Sequence, residues 1–185
     1  MAEALAQMKI GHLAMAGCCA CYLIWWAIFF WPKVQGGEAA GIWRPIGVIS
    51  LVGAVGFGFW GACQMAGGAR ALAPGSAVLA APIGGVALYI VLLLVTTRIF
   101  QRVPTTELVL FCAWVALELF CAAGLAQSGK PGAAALLAAL AIIGFVVSLV
   151  CYIRYYALPP LASFICGCIP LASIGVISLI ASVAL

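Results

Sequence analysis

From Ala133 to Ile153 the chain carries no charged side chain, and five other stretches of similar length are nearly as bare. Each is near or above the ~18–20 residues that cross the hydrocarbon core of a bilayer. In lipid the backbone has no water to bond, so such a segment must close its own hydrogen bonds as a helix. The pattern predicts an all-α, polytopic membrane helical bundle. Six transmembrane helices are expected at about 10–31, 45–66, 77–100, 106–126, 133–153 and 161–185, in one transmembrane domain over residues 1–185 with no soluble domain.

Composition supports the same solvent. Hydrophobic residues make up 68% of the 185 and charged residues 6%, whereas a soluble domain carries roughly 25% Asp, Glu, Lys and Arg. The net charge of +4 comes from eight Lys and Arg against four acidic residues, and the basic residues are scattered singly among the connectors, as membrane loops are dressed. A nucleic-acid partner would need a clustered basic stripe and is excluded. Lys9 precedes an apolar run as in a secretory signal. The run continues through Trp31, far past a signal's short core, so it is expected to be the first membrane helix. Lys33, Arg44, Arg98, Arg102 and Arg154 fall on the face of the odd connectors and Lys9, Arg70 and Lys130 on the other. This slight bias directs the odd connectors to the cytoplasm and both termini outward. The expected location is an integral position in a bacterial inner membrane.

Several local features bear on packing. Trp25, Trp26, Phe29, Phe30 and Trp31 close helix one with rings that prefer the headgroup zone. Ser50, Ala54, Gly58, Ala62 and Ala66 recur every four residues on helix two, which suggests a groove for close backbone approach at the centre of the bundle. Pro82 and Pro170 interrupt helices three and six. A shift of 88 positions superposes these two prolines and pairs helix two with helix five. The six residues from Ile46 and from Ile174 read alike, Ile-Gly-Val-Ile-Ser-Leu, and pair helices two and six instead, so the two echoes of an internal repeat contradict each other.

Glu118 most needs explaining. It lies mid-way along helix four, where an acidic residue costs about 2.5–3.5 kcal/mol on insertion scales. Either it faces a pathway as a proton- or cation-linked carboxylate, with Glu107 three turns away at the mouth, or it is a protonated clamp bonded to a neighbouring helix. Phe111, Trp114 and Cys121 share its stripe. Arg98 and Arg102 with Glu107 suit a gate or anion rim, although arginines at a helix end also snorkel to lipid phosphates. Tyr22, Trp60, Tyr89 and Trp114 are candidates for an aromatic pocket. The nine cysteines include Cys18 and Cys21 in a C-x-x-C spacing, but a buried thiol in lipid behaves as a small hydrophobe, and no bound metal or cofactor is expected. His12, the only histidine, reads as an interfacial side chain at the start of helix one.

The function these residues support is a small membrane transporter or channel subunit moving a small solute or ion, with proton coupling through Glu118. Its pathway would comprise Glu118, Glu107, Arg98, Arg102, Trp114, Tyr89, Pro82 and Pro170, with helices three, four and six around a midplane site. The alternative is a non-catalytic subunit or assembly factor of a larger membrane complex, and the third is a membrane thiol or metal redox protein. An enzyme is not expected. The partners are the lipid bilayer, a small solute or proton, and further copies of this chain or the subunits of a complex.

Overall fold

Alanine, leucine and methionine, all strong helix formers, carry the first helix back to Ala2, well before the apolar run at Ile10. In the computed structural model, which describes residues 1–73, 75–101 and 105–185, α1 spans Ala2–Val34. α2 spans Trp43–Leu72, with Pro45 in its first turn, and α3 spans Gly75–Arg98. α4 (Thr106–Gln127), α5 (Pro131–Tyr155) and α6 (Pro160–Ala184) complete the chain. All six are long and apolar enough to cross a membrane, and no strand occurs among the described residues. The chain is therefore an integral membrane helical bundle.

Five helices close a ring. α1 packs on α2 and on α6, α6 on α5, α5 on α4, and α4 on α2, while α3 lies outside against α4. The central helix is thus α4 and not α2: 61% of its apolar span is buried, against 17% for α2 and none for α3. α2 instead clamps α1 from one side. Gly47, Ala54, Gly61 and Gly68 of α2 are buried at a seven-residue spacing, with Ala69 buried beside the last, and of the expected four-residue stripe only Ala54 is fully buried.

One backbone-to-backbone approach of the two helices is between Gly11 and Gly61. A Cβ on Gly11 would stand 2.7 Å from the Met65 amide nitrogen and 2.8 Å from the Gly61 carbonyl oxygen, and one on Gly61 would stand 2.9 Å from the Gly11 carbonyl oxygen. Only backbone fits there, as in small-residue interfaces of membrane helices generally. At the far end of α1, the Trp26 indole stacks on Phe30 with ring centroids 3.9 Å apart, and its N–H donates to the Phe164 carbonyl at 3.2 Å. The aromatic cluster thereby ties α1 to α6 in addition to any role at the headgroups.

Two cores result. One gathers Phe111, Cys112, Trp114 and Val115 of α4 with Phe145, Tyr152, Ile174 and Ile177, and the other Met8, Met65, Phe120, Cys121, Leu125 and Leu137. The contact pattern only partly fits a repeat of three helices. The pairs α1–α2 and α4–α5 correspond, as do α1–α6 and α4–α3, but α6 closes on α5 whereas α3 makes no extensive contact with α2.

Candidate functional site

Between the two cores α1 approaches α4, and the residues that meet are His12 and Glu118, both 0% exposed. Nδ1 of His12 lies 2.8 Å from the Met8 carbonyl one turn back. A carbonyl can only accept, so Nδ1 bears a proton. Nε2 lies 3.0 Å from Oε2 of Glu118. With Nδ1 protonated, this second bond holds one proton, either on an imidazolium that donates to a carboxylate or on a carboxyl O–H that donates to a neutral ring. Each form is neutral overall, which is how the bilayer's interior tolerates Glu118. The other oxygen, Oε1, has no partner among the described residues.

Above this pair, toward the rim formed by the odd connectors, lies a cavity of about 520 Å³. Pockets for small molecules fall in the range of roughly 300–1,000 Å³. α1 contributes Cys18, Tyr22, Trp26 and Phe30; α4 contributes Glu107, Phe111 and Trp114; α5 contributes Tyr152 and Tyr155; and α6 contributes Cys166, Gly167 and Pro170. Met15, Leu117 and Ile174 line it at its deep end. Leu117 directly precedes Glu118, and Met15 follows His12 by one turn, so the buried pair sits beneath the floor and not in the wall. Pro170 lacks an amide hydrogen, which deprives the carbonyl of Cys166, also in the wall, of its helical donor. The indole N–H of Trp114 is likewise without a partner among the described residues.

One side of the cavity is thinly walled. α2 and α4 meet below it, where the Cys121 thiol lies 3.8 Å from the Met65 carbonyl and Gly124 abuts Ala69. Higher up, Gly58 and Ala62 of α2 face the cavity, as does Leu110 of α4, which is itself 59% exposed. The space therefore reaches toward lipid between these helices.

No protein-family model, curated protein or solved structure matches this chain. Geometry alone therefore carries the assignment. Of the pathway residues expected from sequence, Glu107, Trp114 and Pro170 line the cavity, and Glu118 is buried one step beneath it. Tyr89 packs against the upper core from α3. Pro82 and Arg98 are exposed on α3, which contributes nothing to the cavity wall. Arg102 lies outside the described residues. The helices around the cavity are thus one, two, four, five and six, and the expected enclosure by three, four and six does not form.

His12 is the clearest correction. Because α1 begins at Ala2, His12 falls in its third turn at the depth of mid-α4 and not at the interface. The signal was available: a carboxyl in lipid needs a partner, and His12 is the only other titratable nitrogen inside an apolar run. The cysteines also regroup. Cys166 lies 3.4 Å from the Cys151 carbonyl, both residues line the cavity, and among the described residues no three of His, Cys, Asp and Glu gather as a metal site would require.

Cys18 and Cys166 line the cavity, whereas Cys121 is 0% exposed below its floor. A small uncharged maleimide is expected to modify the first two at least ~10-fold faster than Cys121, since access governs buried thiols of similar chemistry. Equal rates, read by mass spectrometry of peptides, would show that the cavity is not reached from outside.

Proposed function

We propose that the chain is a small membrane carrier that takes a solute into the cavity from the odd-connector side and closes the opposite side with the His12–Glu118 pair. The observation that supports this most directly is the cavity itself, which ends at mid-membrane on a sealed floor. A channel would continue through it. A packed structural bundle would have filled it, because interiors tolerate few voids larger than a water molecule.

The pair also gives the carrier a means of proton coupling. Closed and dry, it holds one proton between Nε2 and Oε2. Opening the lower half separates α1 from α4 and wets both groups. At neutral pH a hydrated glutamate, with its pKa of about 4.3, is ionised, and a hydrated histidine, at about 6.5, is mostly neutral. The opened pair then carries one proton fewer, so at neutral pH each closure takes up a proton. Below about pH 5 the hydrated histidine keeps that proton and the coupling is lost.

The test is accessibility from both sides in sealed vesicles, with single cysteines in an otherwise cysteine-free chain and a charged, impermeant methanethiosulfonate. Cys166 is expected to react from the odd-connector side. Ser178, 0% exposed on α6 below the cavity, is expected as its Ser178→Cys variant to react more slowly and only from the other side. If that variant stays unreactive from both sides while Cys166 reacts, the floor never opens and the carrier proposal is lost.

A second proposal, a subunit of a larger membrane assembly, draws support from α3, whose only buried residue is Thr96. A partner helix would fit against it beside α2. A stoichiometric protein retained in mild detergent supports this, and a monodisperse single chain counts against it.

A further inference from the structure

The cavity combines an aromatic wall with one acidic group. Its wall is aromatic, with Tyr22, Phe111, Trp114 and Tyr155 among the rings, and its one charged side chain among the described residues is the carboxylate of Glu107. Glu107 is partly buried in the first turn of α4 and forms no ion pair among the described residues, where the two pairs are His12–Glu118 and Glu38–Arg44. Tyr22 of α1 and Tyr155 of α5 line the same cavity as Glu107 of α4, so the carboxylate shares that space with rings from two other helices.

We infer that the ligand of this cavity is a lipophilic organic cation, held by the Glu107 carboxylate at one pole and by aromatic ring faces elsewhere. The inference rests on the cavity being a solute site.

Three physical points select this class. An anion would meet the charge of Glu107, which has no ion-pair partner among the described residues, in an aromatic-walled space where electrostatic interactions are stronger than in bulk water. A small hydrated metal ion needs several oxygen ligands, and among the described residues no second acidic side chain joins Glu107 in the wall. An organic cation spreads its charge over apolar groups, loses little hydration on entry, and gains both the carboxylate and the negative faces of Tyr, Phe and Trp. The side open toward lipid at Leu110, Gly58 and Ala62 suits a ligand that already partitions into the membrane.

The experiment is equilibrium binding of tetraphenylphosphonium to the full chain purified in detergent, compared with neutral triphenylphosphine oxide, by dialysis with the free ligand measured. Saturable binding of the cation is expected, weakened at least tenfold by Glu107→Gln, abolished by Glu107→Lys and largely kept by Glu107→Asp. The neutral compound should bind with an affinity that none of the three variants changes. If Glu107→Gln leaves cation binding unaltered, or the neutral compound binds as tightly as the cation, the cation inference is overturned while the solute cavity stands. If the folded protein binds neither compound, the solute cavity fails, and this inference with it.

Discussion

Replacing His12 by Phe while Glu118 remains is expected to destabilise the fold by about 3–5 kcal/mol, the usual cost of removing one partner from a buried pair. The expected loss exceeds that of an ordinary core change because Oε1 is already unpartnered among the described residues, so loss of His12 leaves both carboxyl oxygens unsatisfied. Glu118→Leu should cost less, about 1–3 kcal/mol, since the ring stays neutral and keeps its bond to the Met8 carbonyl. The double variant His12→Phe with Glu118→Leu should recover most of the combined loss, because two apolar side chains of similar volume often match a buried pair. Denaturation in mixed micelles for the four proteins would show a coupling of at least ~2 kcal/mol. Additive single effects would mean that the two side chains do not depend on one another, and the sealed floor would lose its chemical basis.

The second large effect is expected at the crossing of α1 and α2. Gly11→Leu places a branched side chain where backbone nitrogen and oxygen of α2 already stand 2.7 and 2.8 Å from the position of a Cβ. Flexible side chains can retreat, but helix backbone cannot, so the helices must separate. The cost should exceed the ~1–3 kcal/mol typical of an overpacked core. Gly61→Leu should behave alike, since the same contact is approached from the other side. Gly56→Leu is the control, because nothing lies within 4 Å of a Cβ there, and it should leave stability within about 0.5 kcal/mol, as surface changes usually do. Comparable losses at Gly11 and Gly56 would contradict the close crossing.

The six spans were legible because their length and lack of charge leave no other solvent. Their ends were less so. Glu3, Gln7 and Lys9 read as a polar lead-in, yet a helix can carry polar residues past the hydrocarbon, and Ala4 and Met8 have packing partners there: a Cβ on Gly68 would stand 2.5 Å from the Ala4 carbonyl oxygen and from Cγ of Met8. That extension moved His12 from the boundary to the interior. The site was half legible for the same reason. A lone acid in an apolar run identifies itself by its cost, so Glu118 stood out, but its partner comes from a helix 106 residues away, and periodicity within one helix carries no information on which helices touch. The cavity was legible only in part: Glu107, Trp114 and Pro170 of the expected pathway and Tyr22 of the expected aromatic pocket line it, whereas Tyr155 and Cys166 resemble any other residue in such runs until the ring of helices brings them together.

Where two helices touch backbone to backbone, neither can slide or roll without the other. The hairpin formed by α1 and α2 should therefore move as one stiff lever. Beside the packing of α2 on α4, the polar link of α1 to α4 at mid-membrane is one shared proton, a latch that a change in hydration can release. Any rocking of this protein would then pivot on the softer, side-chain-filled seams on either side of that lever, and its speed would be tuned by substitutions along those seams.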